Sequence, residues 1–208
     1  MTVRPGLFIT LEGGEGAGKS TAARNLAALL REDGYEVVLT REPGGTAGAE
    51  AIRALLLGGE PLTPEAQTLL HFAARTDHAE ALIRPALARG ALVICDRFYD
   101  STMAYQHYGQ GVPRPYIEAL ITLLGLTPDL SFLLHVPPAT ARARVQARNS
   151  GSDRYDAMGE AFFARVEAGF ADIAAREPAR FAHVSSAVSP AEVAAQLRAL
   201  VHERFGRS

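Results

Sequence analysis

The chain has 208 residues, 48% of them apolar, and a formal charge of −2. Such a length and apolar content suit a single domain with a substantial core and exclude a disordered chain, while the charge excludes a general affinity for DNA, RNA or an anionic membrane. Cys95 is the only cysteine, which excludes an intramolecular disulfide and a cysteine metal site and points to a reducing cytosol; no run approaches membrane-spanning length, and residues 1–6 lack the apolar core of a signal peptide.

Leu7-Phe8-Ile9-Thr10-Leu11 is a short apolar run ending in glycines, the pattern of a buried parallel strand. Residues 19–31 follow at helical spacing, with Ala22, Leu26, Leu29 and Leu30 forming the apolar side, and Asp33-Gly34 stops them. Val37-Val38-Leu39 predicts a second strand, followed by the turn-rich Arg41-Glu42-Pro43-Gly44-Gly45. Helical patterns then occupy 47–57 and 63–88. Thr63 is placed to cap the second of these, and Pro64 suits its first helical position. Ala91-Leu92-Val93-Ile94-Cys95 is the strongest strand and ends in Asp96. A helix over 115–124, a strand over 130–134, a helix opened by Pro138, a helix over 158–177, a strand over 181–184 and a helix from Ser189-Pro190 complete the pattern. Strands alternating with helices imply an α/β domain over 1–208, with a parallel sheet of about five strands and helices on both faces. The polar stretch 148–156 is the candidate for a lid within it. Ligands of such sheets sit at the carboxyl ends of the strands.

Between the first strand and the first helix, Gly13-Gly14-Glu15-Gly16-Ala17-Gly18-Lys19-Ser20 has the spacing G-x-x-x-x-G-K-[ST], which makes the sheet of the P-loop NTPase type. Its glycines let successive backbone N–H groups turn inward as an anion nest at the positive end of a helix dipole. Lys19 would reach the β- and γ-phosphates of ATP, Ser20 would help hold Mg²⁺, and Thr21 completes the ATP-binding set. The plainer alternative is a Gly-rich turn that merely joins strand to helix. Against it stands a compositional oddity, because Lys19 is the only lysine among 21 basic residues. A lone lysine marks a place where a compact ammonium cannot be exchanged for a planar fork.

Asp96-Arg97 ends a buried strand on the same edge of the sheet as this cradle. The carboxylate could join the Mg²⁺ shell and the arginine could bridge donor and acceptor phosphates; a charge pair capping a strand end is the alternative. In Ser101-Thr102-Met103-Ala104-Tyr105-Gln106, Thr102 shares a helical face with Gln106, and Ser101 with Tyr105. A hydroxyl and an amide could read a base edge beside an aromatic wall, although an ordinary amphipathic helix has the same spacing.

Four stretches in order resemble the thymidylate kinase (dTMP kinase) family. They are the cradle with Glu12 and Glu15, Thr40-Arg41-Glu42-Pro43-Gly44-Gly45-Thr46, Phe72-Ala73-Ala74-Arg75, and Asp96-Arg97-Phe98 running on to Ala104-Tyr105-Gln106. A weaker fifth match is the arginine-bearing lid with Asp153-Arg154. The resemblance spans nearly the whole chain. It implies transfer of the ATP γ-phosphoryl group to dTMP, giving dTDP and ADP, with Mg²⁺ as cofactor, in a cytoplasmic homodimer. It also implies that Glu15 contacts the deoxyribose 3′-hydroxyl, that Glu42 and Arg53 line the acceptor sugar and phosphate, and that Arg75 donates to a thymine carbonyl. Arg97 would hold phosphates, Thr102 and Gln106 would meet the base, and Tyr105 would crowd the place of a ribose 2′-hydroxyl. Each has a plainer reading: Arg53 and Arg75 as solvated helix arginines, Glu15 as a loop carboxylate, Glu42 as a turn cap.

Two positions depart from the family pattern. Four residues before Arg75 the family has a phenylalanine that stacks on thymine; here His71 stands there, with Phe72 next, so either ring could take the role. Some members carry an arginine in the cradle, where this chain has Gly14, Glu15, Gly16 and Ala17. Positive charge for the transferring group is then expected from the lid, from Arg148 and Arg154, with Arg142 and Arg144 on the helix before it, as in the bacterial subgroup. A solvated helix face is the alternative for Arg142 and Arg144. Other small-acceptor P-loop kinases and a nucleotide-driven switch are the rival classes. A Ras-type guanine-reading motif needs a lysine, and Lys19 is already in the cradle.

Overall fold

The computed structural model describes residues 6–58, 60–147 and 158–206. The expected lid at 148–156, with Arg148 and Arg154, lies outside the described residues. Strand β1 (Leu7–Glu12) leads into helix α1 (Lys19–Glu32), then β2 (Val37–Arg41), α2 (Ala47–Gly58) and α3 (Pro64–His78). Thr63 caps α3, its side chain accepting from the Ala66 N–H at 3.3 Å, with Pro64 at the first position. After a short helix α4 (Arg84–Ala88) come β3 (Leu92–Asp96), α5 (Tyr99–Thr102), α6 (Arg114–Leu124) and β4 (Leu130–His135). Helices α7 (Pro138–Ala147) and α8 (Glu160–Arg176), strand β5 (Phe181–Ser185) and helix α9 (Pro190–Phe205) complete the order.

All five strands are parallel, in the order β2-β3-β1-β4-β5. Both faces are covered, so β1 is largely apolar, and its alternation sends Phe8 into one core cluster and Ile9 and Leu11 into the other. Leu26 and Leu30 of α1 and Leu197 and Val201 of α9 close one face. Ile83, Phe98, Ile117 and Phe170 close the other. The register pairs Leu11 with Asp96 and Glu12 with Leu133, which brings the carboxyl ends of β1, β3 and β4 to one edge.

Two helical stretches differ from the expected period. The helix expected over 63–88 opens into a π turn at Ala79–Ile83 before α4. Pro85 explains it, since proline has no N–H to bond the carbonyl four residues back. The helix carrying Thr102 and Gln106 is α-helical for only four residues and continues as a π helix, Met103–Gly109. Its base is tied down by a buried ion pair: Arg180 donates to Asp100 through Nη1 at 2.6 Å and Nη2 at 2.8 Å, and to Ser131 at 2.7 Å. Among the described residues no helix is long and apolar enough to cross a membrane.

Candidate active site

The loop between β1 and α1 needs its glycines. Gly13 and Gly18 have φ of 134° and 83°, and a Cβ at Gly16 would lie 2.4 Å from the Ala141 carbonyl oxygen of α7. The Lys19 ammonium, 6% exposed, lies inside the loop and donates to the carbonyls of Gly14 at 2.8 Å and Gly13 at 3.1 Å. Burial and the nearby Arg97 charge draw its pKa down to about 8. Beside it Ser20 donates to Asp96 at 2.5 Å, so a hydroxyl and a carboxylate meet between the ends of β1 and β3. These hard oxygens suit Mg²⁺. Thr21 accepts from Arg24 at 3.2 Å. Of the two arginines on α7, Arg142 is mainly solvated, with a side chain 59% exposed and Glu160 at 3.6 Å. Arg144 instead reaches the cradle, donating to Gly16 O at 3.3 Å and to Ser186 O, beyond β5, at 2.9 Å.

Arg97 is the hub on the other side of the loop. Its φ of 71° makes it a non-glycine residue in the left-handed region, the sort of strain that surrounding contacts must enforce. Those contacts are present. Nη1 donates to Gly13 O at 3.2 Å and Ser101 Oγ at 2.9 Å; Nη2 donates to Glu15 at 2.5 Å and to the Tyr105 hydroxyl at 3.2 Å. The Tyr105 hydroxyl in turn donates to Glu15 at 2.8 Å. Ser101 and Tyr105, expected on one helical face, thus share Arg97 as a partner. Lys19 and Arg97 meet at one carbonyl, Gly13 O, so two cations converge where the sheet edge opens.

Glu12 underlies this hub. Fully buried at the end of β1, it accepts from the Phe98 N–H at 2.7 Å and the Ser101 hydroxyl at 2.6 Å. Burial first, then repulsion from Asp100, raises its pKa to about 8. An exposed glutamate releases its proton near pH 4.5, so between that value and about 8 the folded state holds more protons than the unfolded chain. Stability attributable to this group therefore falls as pH rises through that window. Melting temperatures recorded from pH 5 to 8.5 are expected to decline more steeply for the native protein than for Glu12→Gln. Parallel curves would exclude this origin.

On the acceptor side the expected residues form a buried network around Arg75. Glu42 is 4% exposed, accepting from Arg75 Nε at 2.7 Å through one oxygen and bonded to His78 Nδ1 at 2.9 Å through the other. Arg75 is no solvated helix arginine, being 2% exposed. Its guanidinium lies 4.6 Å from the Phe72 ring centre and 5.2 Å from that of Phe98, and Nη2 donates to Thr102 at 3.0 Å. Nη1 is buried and has no hydrogen-bond partner among the described residues. Phe72, considered as a stacking platform, sits in the core at 4% exposure with its ring against Arg75. His71, next on the helix and about 100° round its axis, is the partly exposed ring of the two. Burial and the charges of Arg75, Arg97 and Arg53 hold its pKa down to about 3, so it is a neutral imidazole at working pH. Arg53 is pinned by donation to Pro43 O at 2.8 Å. Thr102 and Gln106 are buried at 2% and 1%.

His78 was not among the residues singled out from the sequence. It lies three residues after Arg75 and seven after His71 on α3, and that shared helical face was the available signal. Glu42, His78 and Cys95 offer potential ligand atoms within 4.8 Å of one another. The carboxylate is already taken by a guanidinium and an imidazole, so the cluster is a hydrogen-bonded network.

The thymidylate kinase family model matches residues 11–197. A thymidylate kinase of Gluconobacter oxydans is 53% identical over 95% of each chain. One from Caulobacter vibrioides is 46% identical, covering 97% of this chain and 98% of its own. The crystal structure of thymidylate kinase from Ehrlichia chaffeensis superposes with a TM-score of 0.79 at 34% identity, over 95% of this chain and all of that one.

Proposed function

The chain belongs to the thymidylate kinase family and phosphorylates dTMP to dTDP, and from its site we propose that Mg·ATP is the donor and that the residues above divide the work as follows. The loop N–H groups and Lys19 hold the triphosphate tail. Ser20 and Asp96 would hold Mg²⁺, which would offset negative charge on the phosphates. Arg144, bonded to both Gly16 and Ser186, lies beside the donor nucleotide and works there as a positioning group.

For the acceptor, His71 supplies a neutral ring for the base and Arg75 Nη1 a donor for a thymine carbonyl. Arg53 and Arg97 meet the acceptor phosphate, while the Tyr105–Glu15 hydrogen bond borders the sugar and crowds a 2′-hydroxyl. Thr102 and Gln106 support the base side. The acceptor phosphate oxygen is already an anion near pH 7, so no strong base is required. It attacks the γ-phosphorus as the bond to the β-phosphate oxygen breaks, and ADP leaves. Catalysis is then positioning and charge neutralisation, with Arg148 and Arg154 of the lid as further contributors. The observation that carries this reading is the meeting of Lys19 and Arg97 at Gly13 O, at 3.1 and 3.2 Å. That is where donor and acceptor phosphates must approach each other.

The buried free Cys95 and the absence, among the described residues, of a membrane-crossing helix support a cytoplasmic enzyme. Exposed Leu55, Leu69 and Leu123 on α2, α3 and α6 support a homodimer formed through those helices. Coupled ADP release with ATP and dTMP, dUMP, dCMP, dGMP or UMP tests the assignment. The enzyme is expected to prefer dTMP and to sediment as a dimer. Indifference among the five acceptors would overturn the acceptor roles, and a monomer at micromolar concentration would overturn the dimer.

A further inference from the structure

We infer that His78 is a positioning residue for acceptor selection, acting through Glu42 on Arg75; the inference rests on the acceptor roles proposed above. The chain of contacts is continuous, and from His78 to Thr102 it is buried. Thr40 Oγ1 and His78 Nε2 are 2.7 Å apart, His78 Nδ1 and Glu42 Oε1 2.9 Å, Glu42 Oε2 and Arg75 Nε 2.7 Å, and Arg75 Nη2 and Thr102 Oγ1 3.0 Å. A carboxylate can only accept, so an imidazole hydrogen is on Nδ1, facing Glu42, while Nε2 faces the Thr40 hydroxyl.

The consequence lies at Arg75. With Nε taken by Glu42 and Nη2 by Thr102, and with the rings of Phe72 and Phe98 nearby, the guanidinium has one rotational setting. That setting leaves Nη1 as its one buried nitrogen without a partner. An unpaired buried donor is costly unless a ligand acceptor meets it. A carbonyl on the acceptor base satisfies it, whereas an amino group in the same place leaves two donors facing each other. His78 keeps the Glu42 carboxylate from turning, and the carboxylate fixes the direction of Nη1. The Pro43-Gly44-Gly45 turn is shaped to this end: a Cβ on Gly45 would lie 2.5 Å from His78 Nε2 and 2.6 Å from Thr40 Oγ1.

The test uses the full-length enzyme with two substitutions. His78→Leu removes both hydrogen bonds. His78→Asn puts an amide N–H close to where Nδ1 stands and keeps the one to Glu42. For His78→Leu the KM for dTMP is expected to rise about tenfold, the loss that follows a missing charge-assisted bond. The dTMP-over-dCMP preference in kcat/KM should fall by a similar factor, and the KM for ATP should stay within twofold. His78→Asn should recover most of the preference. Equal losses in the two variants, or a parallel rise in the KM for ATP, would show a merely structural role and overturn the inference. So would an unchanged dTMP preference in folded His78→Leu. If the native enzyme itself shows no preference for dTMP over dCMP, the acceptor roles fail first and the inference falls with them.

Discussion

Replacing Lys19 by alanine is expected to lower kcat by about 10²–10³, the usual cost of removing one preorganised donor from a transferring group, while the melting temperature holds or rises. The ammonium lies inside the loop, bonded to the Gly13 and Gly14 carbonyls. Its folding contribution has the opposite sign from its catalytic one. The fold draws its pKa from 10.5 to about 8, a difference worth about 3 kcal/mol against the charged form. Between those two pH values the unfolded chain holds a proton that the folded protein has released, so stability from this group rises with pH there and is at its lowest below about 8. Lys19→Met keeps the stem and removes the charge. It should be as inactive as Lys19→Ala and melt above the native protein at pH 7. Steady-state ADP release and thermal melting check both halves, and near-normal turnover in either variant would defeat the assignment.

Arg97→Ala should cost a comparable factor, about 10²–10³ in kcat/KM, and Arg97→Lys should restore little of it. A planar fork serves Gly13 O, Ser101, Glu15 and Tyr105 at once. A lysine ammonium has neither the reach nor the geometry for four partners on two sides. The substitution also frees Glu15 and Tyr105 from the cation that organises them, so acceptor KM should rise with the fall in kcat. The φ of 71° reinforces the case, because a strained backbone persists only where several contacts enforce it, and here they converge on this side chain. Activity of Arg97→Lys within tenfold of native would mean that a point charge suffices and that the fork is incidental.

Most of the fold was legible before any coordinate. Strands such as 91–95 are continuous apolar runs because both faces of a parallel sheet are covered, and β3 at Leu92–Asp96 matches that expectation. The start of α3 followed from side-chain chemistry at Thr63, whose hydroxyl caps it, and α9 starts where Ser189-Pro190 placed it, with the Ser189 hydroxyl as its cap. What escaped were the π turns. Pro85 signals an interrupted helix, but nothing local separates a kink from a widened turn. The second, at Met103–Gly109, contains no proline, and we have no physical account of why it widens.

The site divides along the same line. The cradle was readable because eight contiguous residues carry their own geometry: glycines for positive φ, a strand before, a helix after, and a lysine where the dipole points. Glu42 and Phe72 were harder. Both are buried against Arg75, one through a hydrogen bond and one through its ring, and a type of residue does not say which way it faces.

The amino-acid order alone determined the sheet, the phosphate-binding turn and the kind of chemistry, since these depend on short-range backbone preference and on alternation within single elements. Only the folded chain decided which side chains share a proton or a charge. Arg97 reaches back 82 residues to Glu15, Arg75 reaches back 33 to Glu42, and Arg144 spans 128 to Gly16. Such pairings arise when separate strands and helices pack, because burial of apolar surface drives the packing and each polar group it takes out of water must then meet a partner, and no segment of the chain holds both.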